Sequence, residues 1–153
     1  MTPPVFDAVQ AVLFIPFAAA ALLVLLPGYR LPARINVLAS LLTLLAALAI
    51  LVGGEPRSGA YLLIDDLNIV FIALNTFVGF TTSVFSASYI QHELENGKLT
   101  PTYLRFYHAM YQLLMFGMNL ALMADNIGLM WVAVDVATLT TVVMVGMYRT
   151  SAA

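Results

Sequence analysis

Residues 35–52 read Ile-Asn-Val-Leu-Ala-Ser-Leu-Leu-Thr-Leu-Leu-Ala-Ala-Leu-Ala-Ile-Leu-Val, almost pure Leu, Ala, Val and Ile with no charged side chain. A bilayer crossing takes about 20 consecutive, mostly apolar residues. The stretch therefore predicts a membrane helix that faces lipid or packs passively. Its surroundings repeat the pattern. Of 153 residues, 62% are hydrophobic and 9% charged, and the mean hydropathy is +0.96. Soluble domains carry about 25% charged residues, so this chain cannot cover a water-facing surface. Disorder is excluded as well, because disordered segments are poor in apolar residues and rich in charge. Six Lys and Arg residues scattered among loops form no phosphate-neutralising patch, which excludes a nucleic-acid partner.

Apolar stretches at 5–26, 67–90, 104–124 and 127–147 flank 35–52 on both sides. Together they predict an all-α integral membrane protein with five transmembrane helices in a single region over 1–153. The first stretch is not a signal peptide, since it starts Met1-Thr2-Pro3-Pro4 without basic residues and has no small-residue cleavage pattern. Pro16 predicts a kink within it. Pro27 to Pro32 reads as a breaker-rich turn, residues 53–59 as a loop, and Tyr61 to Asp66 as a short interfacial piece. Gln91 to Pro101 is the longest polar loop, and Asp125-Asn126 a tight turn. With five spans, Arg30, Arg34, Lys98, Arg105 and Arg149 fall on one side and Arg57 alone on the other. The positive-inside rule then puts the N-terminus outside and the C-terminus in the cytoplasm. This places the chain in the inner (plasma) membrane as a multi-pass protein.

The informative side chains are those that are costly where they lie. Asp135 is eight residues into the fifth helix, about 12 Å along its axis and close to the bilayer midplane. A carboxylate there costs about 2.5–3.5 kcal/mol on insertion scales, so it should face protein or water. It is either an ion-translocating group or a protonated acid joining two helices. Trp131, Thr138 and Val142 share its helical face, and Thr138 is placed to bond the carboxyl or an adjacent water. His108 lies inside the fourth helix toward the cytoplasmic end, either as a proton-uptake group or as an anchor to a loop. Asn75 and Asn119 line a hydrated path or join helices. Gly79, Ser83 and Ala87 form a small-xxx-small row. Nearby hydroxyls, Thr81 to Ser88, make a polar stripe or bond back to the preceding turn. Trp131 and the tyrosines at 61, 89, 103, 107, 111 and 148 read mostly as an interfacial belt. There is no cysteine, and the two histidines, His92 and His108, are far apart. No cofactor, redox centre or metal site is expected in this chain.

Four segments carry a resemblance. They are Ile64-Asp65-Asp66-Leu67, Tyr89-Ile90-Gln91-His92-Glu93, Gly97-Lys98-Leu99-Thr100-Pro101, and the run from Asn126-Ile127-Gly128-Leu129 through Trp131 and Asp135 to Thr138-Leu139. In this order and spacing the region from Ile64 to Thr150 resembles the antiporter-like membrane subunits of complex I, Mrp-type cation/proton antiporters and membrane-bound hydrogenases, with hydrogenase-4 component F the nearest likeness. The resemblance implies proton or sodium translocation driven by redox chemistry on partner subunits, alongside other membrane subunits of a hydrogenase or complex I-like assembly. It also implies that Asp135 stands where the family carries a Glu that pairs with a lysine on a later helix. Asp has one methylene fewer, which draws the carboxyl about 1.5 Å toward its own backbone, a shift that matters in proton transfer. Family members continue with further helices beyond the point matching Ala153, so the chain reads as the N-terminal portion of a longer subunit. A cation/proton antiporter or inorganic-carbon transporter component, and a truncated remnant without function, are the alternative readings.

Overall fold

The computed structural model describes residues 7–28, 30–53, 57–58, 61–95 and 101–147. Five helices follow one another: α1 (Ala8–Leu25), α2 (Arg30–Gly53), α3 (Asp66–Glu95), α4 (Pro101–Met123) and α5 (Ile127–Met147). Two-residue strands, β1 (Arg57–Ser58) and β2 (Leu63–Ile64), pair antiparallel between α2 and α3. The interfacial piece expected near Tyr61 is thus part of a small hairpin. Leu62 also bridges to Ala124, and the Asp125 amide donates to the Tyr61 carbonyl at 2.9 Å. These contacts tie the α2–α3 connection to the α4–α5 turn at one end of the bundle.

Local chemistry explains most helix boundaries. The Asp7 carboxylate accepts from the Val9 amide and caps α1. Pro16 is buried within α1, which continues through it as one helix. Gly28, at φ 85, takes the left-handed turn that side-chain-bearing residues avoid. α2 then begins at Arg30, five residues before the expected start, because Pro32 falls in its first turn, where proline costs no hydrogen bond. At the head of α3, Asp65 and Asn68 each accept from the other's backbone amide at 2.8 Å, a reciprocal cap. α3 runs five residues past the expected Ile90 and is about 45 Å long, more than the roughly 30 Å of hydrocarbon, so its polar end projects beyond the apolar layer. The Asn126 carboxamide caps α5 by accepting from the Leu129 amide. Lys98 and Arg149, counted above among the cytoplasmic cations, lie outside the described residues.

Four helices (α1, α2, α3 and α5) are long and apolar enough to cross a membrane. α4 falls below that mark because it carries His108, Gln112 and Asn119, all fully buried. It lies at the centre, packed on α1, α2, α3 and α5, with lipid-type side chains such as Leu42, Leu45, Phe77 and Phe85 exposed on the surrounding helices. The polar helix is wrapped by apolar ones: this is a polytopic membrane bundle. Near the hairpin end, Val12, Ala47, Ile50, Ile64, Ile72 and Met123 form the apolar core.

Two glycines set the spacing around α4. A Cβ at Gly79 would fall 2.7 Å from the sulfur of Met115, and the Tyr111 hydroxyl donates to the Gly79 carbonyl at 2.5 Å. Gly79, the first residue of its row, therefore serves the α3–α4 contact. Tyr111, expected in the interfacial belt, is buried instead. On the other side, a Cβ at Gly117 would come within 3.0 Å of the Ala133 carbonyl and 3.1 Å of the Ala137 amide, both backbone atoms of α5. Gly117→Leu is expected to separate α4 from α5 and lower the melting temperature of the purified protein in detergent. Gly53→Ala, at a position open to space, should leave it unchanged.

Candidate functional site

The polar groups of α4 form a ladder along its buried face, because His108, Gln112 and Asn119 are spaced i, i+4 and i+11. Gln112 is held by α2. Its Nε2 donates to the Asn36 carbonyl (3.0 Å), the Asn36 Oδ1 (2.8 Å) and the Ser40 hydroxyl (2.9 Å). Asn119 accepts from Asn75 Nδ2 of α3 at 2.8 Å and donates to the Val12 carbonyl of α1 at 3.3 Å. Of the two roles open to Asn75 and Asn119, joining helices is the one these bonds perform. The hydroxyls of α3 bond back to its own preceding turn: Thr81 to Phe77, Ser83 to Phe80 and Ser86 to Thr82.

His108 is different. It is fully buried, the Tyr107 ring lies edge-on 5.7 Å away, and neither ring nitrogen has a hydrogen-bond partner. It does not anchor a loop. Gln112 Oε1 and Asn36 Nδ2 are likewise buried without partners. An unsatisfied buried polar group costs about 1–3 kcal/mol, so this end of the ladder is where an additional donor or acceptor would be stabilising.

Asp135 belongs to another surface. The side of α5 facing α4 buries Ala133, Thr140 and Met144. Asp135 is two residues from Ala133, about 200° around the helix, and is exposed together with Trp131, Thr138 and Val142. The structure thus brings Asp135 and Thr138 onto one open face and leaves His108 inside, on a different helix. The Thr138 hydroxyl donates to the Val134 carbonyl at 2.9 Å rather than to the carboxyl. Beside this face, Leu114, Met118, Val134, Thr138 and Val142 line an apolar groove between α4 and α5. Among the described residues, no group of three or more His, Cys, Asp or Glu is placed to hold a metal ion.

Sequence reasoning missed the α2 side of the ladder. Asn36, Ser40 and Thr43 recur at i, i+4 and i+7 in an otherwise apolar helix, a polar stripe that signals a buried polar neighbour. All three are buried, and the Thr43 hydroxyl bonds back to the Ala39 carbonyl.

The apolar sheath around a polar central helix defines a polytopic membrane protein. No protein-family model matches the chain. It is 52% identical over 141 residues, 92% of its length, to a hydrogenase-4 component F homolog of Methylacidiphilum infernorum (isolate V4). The resemblance to hydrogenase-4 component F found in the sequence is borne out over the part the chain spans. That part amounts to 29% of the curated relative's length.

The Asn75–Asn119 bond predicts a measurable coupling. Asn119→Ala should destabilise the bundle by about 1 kcal/mol, and a double-mutant cycle with Asn75→Ala should return about 0.6 kcal/mol, as polar pairs in membrane helices do. Detergent-unfolding titrations of the single and double variants measure both terms.

Proposed function

We propose that this chain forms part of a membrane subunit of a redox-driven, ion-translocating complex of the hydrogenase-4 or complex I type, with Asp135 as an ion-transfer carboxylate. The observation that carries the reading is the position of Asp135. It lies mid-way along an apolar helix, on the face turned away from the rest of the bundle, inside a sequence 52% identical to a hydrogenase-4 component F homolog. A carboxylate so placed is stabilised only when protein or water covers it. The open face of α5 supplies the surface on which further helices, with a cationic partner, would pack. Such a partner would let the carboxylate gain and lose a proton as the pairing is made and broken.

In this reading partner subunits carry the redox chemistry and this chain contributes the proton step. Asp135→Asn keeps the volume and removes the charge. Introduced into the full subunit within its assembled complex, it should reduce redox-driven proton uptake about a hundredfold or more, since a positioned acid–base group supplies about 10²–10⁴-fold. Assembly should persist, and Asp135→Glu should retain uptake. Undiminished uptake by the Asn variant would overturn the assignment.

The orientation belongs to the same proposal. Arg30 and Arg34 head α2, and Arg57 follows its other end; the first end is assigned to the cytoplasm by the charge rule. A cysteine introduced into this cysteine-free stretch reports which side of the membrane its position faces, read against the unsubstituted protein. Ser58→Cys should react with a membrane-impermeant maleimide in intact cells, and Lys98→Cys should react only after lysis.

A further inference from the structure

A cavity of about 630 Å³ opens between α2, α3 and α4 at the Arg30 end of the bundle. Its lining changes character along its length. Arg30 and Arg34 stand one turn apart on α2, and the same row continues into apolar Val37 and Leu41, with Val84 of α3 opposite. From Arg30 to Leu41 is about 16 Å along the helix, close to the depth of one hydrocarbon leaflet. His108 also lines it, at the level of the two arginines: Gln112, one turn further along α4, bonds Asn36 and Ser40 of α2. No Asp or Glu lines the cavity among the described residues.

Each feature names part of an occupant. His108 borders the same end with both ring nitrogens sealed from the opening, so the arginines are the groups that meet an occupant there. Two guanidiniums beside that end favour an anion, and phosphate is the anion whose geometry guanidinium matches bidentately. The apolar remainder, a leaflet deep, has no use for a free anion but fits a hydrocarbon chain. We propose that this cavity binds one anionic phospholipid, its phosphate at Arg34 and Arg30 and one acyl chain along Val37, Leu41 and Val84. The bound lipid fills the space between α2 and α3. The site is separate from Asp135 on α5, so either assignment stands or falls without the other.

The test uses the assembly that carries this chain, extracted in detergent, stripped of lipid and examined by native mass spectrometry during lipid titration. One phosphatidylglycerol should bind saturably and more tightly than phosphatidylcholine. Each basic residue near a membrane surface contributes about 1 kcal/mol to anionic-lipid attraction, about fivefold in affinity. Arg34→Gln should therefore weaken phosphatidylglycerol binding about fivefold, and the Arg30→Gln/Arg34→Gln pair about 25-fold. Arg57→Gln, at the opposite end, should leave it unchanged. Arg34 is exposed, so these variants keep the fold, which an unchanged melting temperature verifies. Equal retention of phosphatidylcholine, unchanged binding by the double variant, or equal loss with Arg57→Gln would overturn the proposal. Displacement of the lipid by millimolar inorganic phosphate would assign the site to a free anion and overturn it as well.

Discussion

Hydrocarbon offers no hydrogen bonds, so each polar group carried into it has to find a partner within the protein. That constraint organises the bundle around α4. A helix with His108, Gln112 and Asn119 on one face cannot be left against lipid, and here α1, α2 and α3 surround it. The surrounding helices respond in kind: Asn36 and Ser40 on α2 and Asn75 on α3 present polar groups where α4 needs them. Close approach is part of the same solution. Gly79 admits Tyr111 and Met115, and Gly117 admits the α5 backbone, so side chains and carbonyls come within bonding range.

The ladder is not satisfied to the same degree throughout. Its Asn119 end is fully bonded, whereas His108, with part of Gln112 and Asn36, is left without partners. In a low-dielectric interior a half-satisfied network is less favourable than a complete one. The unpaired end coincides with the opening flanked by Arg30 and Arg34. Asp135 presents the complementary situation at the edge of the bundle, where an acid lies on a face that nothing in the described residues covers. Both places are where polar chemistry meets an incomplete environment.

Much of this was legible in the sequence because membrane insertion is written in composition. Helices α1, α2, α3 and α5 follow from runs of apolar residues, and α5 matches its expected span of 127–147 in full. The bonding of Asn75 and Asn119 across helices, and the back-bonding of the α3 hydroxyls, also follow from residue type and position. The misread elements share a cause. Breaker residues at 27–32 suggested a longer turn, although Pro32 is compatible with a first helical turn. Tyr111 was assigned to the interfacial belt by residue type, but its partner is a carbonyl 32 residues away on α3. Chain periodicity reports only which side of a helix is polar, not what that side meets.

Hydropathy by itself determined that this chain folds as apolar membrane helices, and the ordered motifs around Asp135 determined its resemblance to hydrogenase-4 component F. Those properties depend on the solvent that each segment prefers and on residue order, and both are local. Tertiary structure alone decided that α4 is central, that His108 is buried beside a cavity rather than bonded to a loop, and that Asp135 and Thr138 occupy an outward face remote from His108. Such facts depend on the angle at which each helix is rotated in the bundle. That angle is set by close packing at Gly79 and Gly117 and by hydrogen bonds between residues 44 to 107 positions apart.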